Sequence, residues 1–126
     1  MNESHQKRLL DAGPTLYRNY GEESGLSKWG FELEDGWFDL LLELTEKAEA
    51  IIRTLPGEEQ RRFRVTQVKE KCGTLRVYTR EIYEPLFFLF REGRERSEQI
   101  CELCGKPGHL YENKRGWIVT RCEGCS

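Results

Sequence analysis

The segments Cys101-Glu-Leu-Cys104 and Cys122-Glu-Gly-Cys125 decide the fold of the last quarter of this chain, with seventeen residues between them. Two Cys-x-x-Cys pairs at this spacing are typical of a zinc site made of four thiolates. Each pair can offer two sulfurs from one tight turn, and the residues between can form two short strands. Four cysteine ligands close a tetrahedron, so the sequence predicts one structural Zn²⁺ ion with no position for a substrate or an activated water.

Two disulfides are the alternative to a metal at these four cysteines. Disulfides persist in oxidising compartments, whereas the amino-terminal Met-Asn-Glu-Ser-His resembles neither a secretory nor a transit signal. No apolar run approaches the ~20 residues that a membrane span requires. We therefore expect a cytoplasmic setting, zinc in place of disulfides, and no membrane partner.

Working outward, the residues between the two cysteine pairs predict a small ribbon. Residues 109–111 and 117–120 are expected to form its two strands, with a turn over 113–116. Trp117 is expected to cover the apolar side of so small a sheet. His109 is an alternative ligand, but four sulfurs already complete the shell.

Residues 1–30 are weakly patterned, and we predict a partly ordered arm there. A short helix over residues 6–12 should stop at Gly13-Pro14. Trp29, Phe31 and Leu33 alternate with small or polar neighbours, which favours a short extended piece.

Asp35-Gly36-Trp37 opens the best predicted helix, with Asp35 as the residue that caps its free N–H groups. Apolar residues then recur at spacings of three and four and define one buried face: Trp37, Leu41, Leu44, Ala48, Ile51 and Leu55. Pro56-Gly57 ends the helix.

Residues 61–80 predict a β-hairpin with a turn near 70–73, where Gly73 gives backbone freedom and Cys72 fills the turn as a small apolar group. Phe63, Val65, Leu75 and Val77 share the parity of a buried face. The opposite parity carries Val68 and a basic set that we predict to contact a partner: Arg62, Arg64, Arg76, Tyr78 and Arg80.

A second helix is predicted from Glu84-Pro85 onward, because Pro is tolerated in a first helical turn. The apolar run 86–90 should touch both the first helix and the sheet, and the polar part from Arg91, with Gly93, should be exposed. The helix then enters the ribbon without a linker. The predicted class is therefore α+β: an arm (1–30), a core of helix, basic hairpin and helix (31–99), and a zinc ribbon (100–126).

The charge is distributed unevenly along the chain. Residues 1–60 carry six basic and thirteen acidic side chains, whereas residues 61–80 carry seven basic side chains and one acidic one, within a total of −2. These two regions can neutralise each other on folding, or they can leave a basic face for a partner.

Three segments together resemble a family of small proteins from bacteria and their phages: Asp35-Gly36-Trp37, the hairpin from Val68 to Tyr78, and the four-cysteine ribbon with Gly116-Trp117. The resemblance covers roughly residues 30–125, and Cys72 stands where the family more often has an aromatic residue. It implies zinc and a phage or mobile-element setting. It implies no catalytic residues.

Three classes of function are compatible with the sequence. The first is a non-catalytic protein that binds a host protein complex as an inhibitor or adaptor, with no small-molecule substrate. The second is nucleic-acid binding, in which the arginines contact phosphates and Tyr78 stacks on a base. The third, an enzyme, is disfavoured because His5 and His109 are the only histidines and no His-x-Glu, phosphate loop or Gly-x-Ser-x-Gly motif occurs.

Overall fold

The computed structural model describes residues 1–20, 22, 26 and 30–126, and it has the predicted α+β architecture. Its helices are α1 (Glu3–Ala12), α2 (Phe38–Ile52), α3 (Gly57–Arg62) and α4 (Glu84–Ser97), and its strands are β1 (Phe31–Glu32), β2 (Val65–Lys71), β3 (Thr74–Thr79), β4 (His109–Glu112) and β5 (Ile118–Arg121). Across the described ranges, no helix combines the length and the apolar character needed to span a membrane.

Part of the amino-terminal segment packs into the core, and the expectation of a partly ordered arm over residues 1–30 stays a prediction. Helix α1 is capped by Asn2, whose side chain accepts the His5 N–H, and Leu9, Leu16 and Tyr17 are buried. The Tyr17 hydroxyl lies 2.7 Å from Oγ1 of Thr45 on α2. The few apolar residues here are too widely spaced to give a helical period, so their burial depends on α2. The division into 1–30, 31–99 and 100–126 stays a prediction.

The extended piece around residue 31 is present as β1, and Trp29 lies outside the described residues. Strand β1 pairs in parallel with β2, and β2 pairs antiparallel with β3, so the sheet order is β1-β2-β3. Strand β3 is therefore at one edge of this sheet.

Helix α2 begins one short 3-10 turn, Asp35–Trp37, later than predicted. Asp35 does not cap it. Its carboxylate instead accepts the Asn2 N–H at 2.9 Å and lies 3.0 Å from Nδ1 of His5. Asp35 therefore holds the start of α1 against the 3-10 turn. The Asn2 N–H bond, aided by His5, holds the pKa of Asp35 below its ordinary value despite some burial.

The buried face of α2 is rotated slightly from the predicted one. It includes Thr45 and Glu49, whereas Ile51 and Leu55 are half-buried. The Glu49 carboxylate accepts the backbone N–H groups of Thr15 and Leu16, so this buried charge orders the segment after α1.

The hairpin differs from the prediction in two ways. Residues 61–62 belong to α3, and a bulge between Val65 and Gln67 shifts the register so that Val68 is buried like Val65. A two-residue turn, Cys72-Gly73, joins β2 to β3 with φ of 52° and 76°. Cys72 is exposed, so it does not fill the turn as predicted.

Helix α4 crosses α2 closely at Gly93, which is buried and not exposed as predicted. A Cβ atom at Gly93 would lie 2.4 Å from Cδ1 of Leu44. Within the apolar run only Leu86 is fully buried, and Phe87 and Phe88 remain 52% and 56% exposed. Arg96 also forms an ion pair with Glu43 of α2. Gly93 thus allows α4 to approach α2 closely, while Leu86, Leu89 and Phe90 pack against the core.

Candidate metal centre and basic face

The four cysteines of the ribbon come together as the spacing predicts. The sulfur atoms of Cys101, Cys104, Cys122 and Cys125 all lie within 4.8 Å of one another, and the Cys104 and Cys122 sulfurs are 3.5 Å apart. A tetrahedron with metal–sulfur bonds of about 2.3 Å has edges of about 3.8 Å. The donor set therefore fits one tetrahedral ion.

Two tight turns present these sulfurs. In the first, Gly105 has a φ of 82°, and its N–H reaches the Cys101 carbonyl at 2.9 Å. In the second, a 3-10 turn over Glu123–Cys125 brings the last sulfur back. Strands β4 and β5 pair antiparallel from His109↔Arg121 to Glu112↔Ile118, which sets the two turns side by side.

The hydrogen bonds around the sulfurs differ from one cysteine to another. Burial opposes ionisation of Cys101, but N–H groups of Cys104, Cys122 and Leu103 donate to its sulfur and lower its pKa to about 6. Hydrogen bonding among the sulfurs, led by Cys122, raises the pKa of Cys125 to about 12. A divalent ion at this site would bind each sulfur as thiolate.

His109 is not part of the cluster. Its ring packs beside that of Tyr111 with the centroids 5.1 Å apart. The predicted role of Trp117 is wrong, since its side chain is 61% exposed and lies under the Arg115 guanidinium. Neither residue is needed to complete the four-sulfur shell, and a closed shell of this kind supplies cross-linking and no chemistry on a substrate.

The Asp35–Trp37 turn holds the ribbon from one side. The Gly36 N–H donates to the Glu102 carbonyl at 3.0 Å, and the Trp37 indole N–H donates to the Ile100 carbonyl at 2.8 Å. A Cβ atom at Gly36 would lie 2.1 Å from the carbonyl oxygen of Cys101. Glycine is therefore required at residue 36 by the close approach of the first cysteine turn.

The hairpin turn holds the ribbon from another side. The buried Thr120 hydroxyl donates to the Gly73 carbonyl at 2.6 Å, and the Thr120 N–H donates to the Glu102 carboxylate at 3.2 Å. A Cβ atom at Gly73 would lie 2.7 Å from Cδ1 of Leu110 and 3.0 Å from the backbone of Val119. The three segments that carry the family resemblance thus meet around the metal centre.

The sequence did not predict these contacts with the ribbon, although Gly36 and Gly73 belong to its recognisable motifs. A helix start at Gly36 and a turn at Gly73 already explain why glycine occurs at these two positions. The further need for a residue without a Cβ atom comes from the ribbon, which is distant from both glycines in sequence. The buried pair Glu102 and Thr120 had no local signal, since each looks like an ordinary ribbon residue.

The predicted partner-binding residues lie at different places in the structure. Arg76 and Tyr78 lie on β3 and line a groove beside α4, whereas Arg62 is exposed on α3 and Arg80 is exposed after β3. Arg64 is half-buried and interacts within the protein.

A residue missed from the sequence, Arg18, joins the basic face. Its guanidinium donates to the Phe63 carbonyl at 3.2 Å, and burial together with repulsion from Arg64 and Arg61 lowers its pKa. Arg18, Arg61 and Arg64 therefore form a group of neighbouring guanidinium groups that draws on the amino-terminal segment as well as on α3 and the residue before β2.

Comparisons of the chain with protein-family models, with curated proteins and with solved structures found no match. The arguments about function therefore depend on the geometry described above.

Proposed function

We propose that this chain is a non-catalytic binding protein that uses a zinc-stabilised frame to present a surface to a protein partner. The observation that carries this proposal is a cluster of large apolar side chains left in water. Ile82, Phe87 and Phe88 are each more than half exposed, and Tyr78 is 37% exposed. Exposed apolar groups gathered in one area, with charged residues around them, are typical of protein interaction sites.

Zinc is the proposed ion because four soft thiolates in a compact tetrahedral arrangement suit it best among common divalent ions. Cys101, Cys104, Cys122 and Cys125 would hold it, and it would supply only cross-linking. This role agrees with the close packing of Gly36 and Gly73 on the ribbon. We propose no catalytic role, because the ligand shell has no open position.

The resemblance to small phage and bacterial proteins suggests the setting for this binding. In that setting the partner is a host protein complex in the cytoplasm, and the protein inhibits or redirects it. This part of the proposal depends on the resemblance, whereas binding itself is supported by the exposed surface.

Affinity purification from the native host after mild cross-linking, followed by mass spectrometry, tests the proposal. We expect one protein partner at a reproducible ratio, and we expect it to remain bound after nuclease treatment. Recovery of nucleic acid alone, or a partner that nuclease releases, would contradict a protein-binding function.

A second candidate, nucleic-acid binding, is favoured by the gathering of Arg18, Arg61 and Arg64 and by the Lys69 ammonium, which lies 6.0 Å from the Tyr78 ring. The matching test is a salt series with a labelled oligonucleotide, since phosphate contacts weaken steeply with added salt. The double change Arg61→Glu and Lys69→Glu should weaken such binding, because it reverses two of the charges that carry this candidate. It leaves Arg64, which interacts within the protein, in place.

A further inference from the structure

We propose that the groove between β3 and α4 binds an extended acidic segment of the protein partner, which adds as a strand to the edge of β3. This inference rests on the proposed protein-binding function and specifies the chemistry of the partner. Three independent features carry it: the shape and lining of the groove, the free edge of β3, and the charge at the rim.

The groove has a volume of about 490 Å³, within the range of pockets that hold ligands, and its lining is mainly apolar. Val77 lines it from the strand, and Leu86, Phe87 and Phe90 line it from the helix. Ile82, in the connection before α4, is 86% exposed at the same groove. These side chains form a floor that a partner's apolar residues can cover.

Strand β3 offers backbone groups to that groove. Antiparallel pairing alternates, so every second residue of an edge strand directs its N–H and C=O away from its neighbour. Leu75 is such a residue, because its N–H donates to Oγ of Ser97 on α4 at 3.0 Å. Val77 has the same parity in the register with β2, and no described residue bonds its outward N–H. Helix α4 therefore bonds the backbone N–H of Leu75, whereas the N–H of Val77 is left for a partner strand.

The rim of the groove is basic. Arg76, Arg91 and Arg94 line it, and its described lining contains no Asp or Glu. Arg91 contacts Glu95 of its own helix at 3.7 Å, a largely exposed pair, and Arg94 forms no ion pair with a described residue. A partner segment that carries carboxylates would therefore neutralise these guanidinium groups.

These features define the occupant. In an extended peptide, alternate side chains point to opposite faces, so one set can enter the apolar floor while the other reaches the rim. Main-chain bonds to Val77 would fix the register, as in strand-addition complexes. The expected segment alternates apolar residues with Asp or Glu.

The probe for this site is a defined pool of ten-residue fluorescein-labelled peptides. Leu, Ile, Val or Phe occupies the odd positions, and Asp or Glu occupies the even ones. We expect this pool to raise fluorescence anisotropy on the zinc-loaded protein and to shift the Val77 amide signal in NMR spectra. A pool with Lys or Arg at the even positions should bind at least about tenfold more weakly, and so should an acidic pool with N-methylated backbone amides.

Matched variants separate the groove from the general surface. Phe87 and Phe88 are neighbours with nearly equal exposure, but only Phe87 is among the groove-lining residues. Phe87→Ser should weaken binding of the acidic pool about tenfold, whereas Phe88→Ser should change it less than about twofold. Arg94→Glu should also weaken binding, and Arg115→Glu, an equal charge change in the ribbon, should not.

Equal affinity for the acidic and basic pools, equal loss from Phe87→Ser and Phe88→Ser, or no binding of any pool would overturn the proposal. Equal binding of the N-methylated pool would overturn strand addition, and a homodimer that Phe87→Ser dissociates would show that a second copy occupies the groove. If the natural partner stays bound to Phe87→Ser and Arg94→Glu variants, the groove assignment fails and the protein-binding function stands.

Discussion

At the four-cysteine site, segments distant in sequence approach so closely that neither Gly36 nor Gly73 has space for a Cβ atom. Beside β3, in contrast, large apolar side chains are exposed to solvent. In the first region four sulfurs are placed to bind one ion, and hydrogen bonds from Gly36, Trp37 and Thr120 reach backbone carbonyl groups of the neighbouring segments. The second has an open strand edge and a basic rim. Both regions include hairpin residues, since Gly73 of the turn lies against the ribbon and Tyr78 of β3 lies beside the exposed side chains of the groove.

The difference teaches how the two regions divide their tasks. A domain of this length has a limited core, and a structural metal is one of the means by which small domains gain stability. We infer that the metal centre stabilises the frame and that the groove carries recognition.

The largest expected effect is that of metal removal, because structural zinc contributes on the order of 10–16 kcal/mol of apparent binding free energy. A chelator should unfold residues 100–126 first, as measured by limited proteolysis and circular dichroism. The same loss should follow from Cys122→Ser, whereas Cys72→Ser, at an exposed cysteine outside the cluster, should retain the metal. A proteolysis profile that the chelator leaves unchanged would contradict this division of tasks.

Next in size is Gly36→Ala. The new Cβ atom would meet backbone atoms of Cys101 and Glu102, which cannot rotate away, so we expect the free energy of unfolding to fall by about 3 kcal/mol. Zinc affinity should fall as well, measured by competition with a chromogenic chelator. Gly57→Ala is the control, because its Cβ atom would meet only an arginine side-chain nitrogen at 3.7 Å. Equal effects of the two changes would remove the close-approach argument.

A smaller effect is expected from Gly93→Ala, where the obstacle is the Leu44 side chain and not backbone. We expect a loss of about 1–3 kcal/mol, measured by urea unfolding, since a side chain can move partly aside. In the double variant with Leu44→Ala, the cost of Gly93→Ala should largely disappear. Independent, additive effects of the two changes would show that the helices do not cross as described.

The smallest effect is expected from Asp35→Asn. The carboxylate is 40% exposed, so solvent screening limits its contribution, and we expect a loss below about 1 kcal/mol at neutral pH. Because folding lowers its pKa from 3.8, this contribution is present above that pH and is lost as the pH falls through the folded value. The stabilities of the two proteins should therefore converge in acid. A constant difference at all pH values would contradict the role of the charge.

The sequence predicted those parts of the molecule that follow from local chemistry. The four ligands were identifiable because two cysteine pairs at this spacing can form one site, and α2 was identifiable because its apolar residues repeat every three or four positions. The hairpin turn followed from Gly73. Each of these signals is contained within 25 residues or fewer.

Other features were not predictable, because they depend on contacts between distant segments. The bulge near Gln67 moved Val68 to the buried face, and the segment after α1 is held by the Glu49 carboxylate on α2. The groove was missed because five successive apolar residues from Leu86 to Phe90 suggest burial. A helix surrounded by so few neighbours cannot bury all of them, and that count was not available from the sequence.

The central claim is that one ion held by four sulfurs acts as a structural cross-link. X-ray absorption spectroscopy at the zinc edge, combined with the metal content of purified protein, tests it most directly. We predict one zinc per chain with four sulfur neighbours at about 2.3 Å and no lighter ligand. A protein free of metal, or a shell that includes an oxygen or nitrogen ligand, would contradict the account.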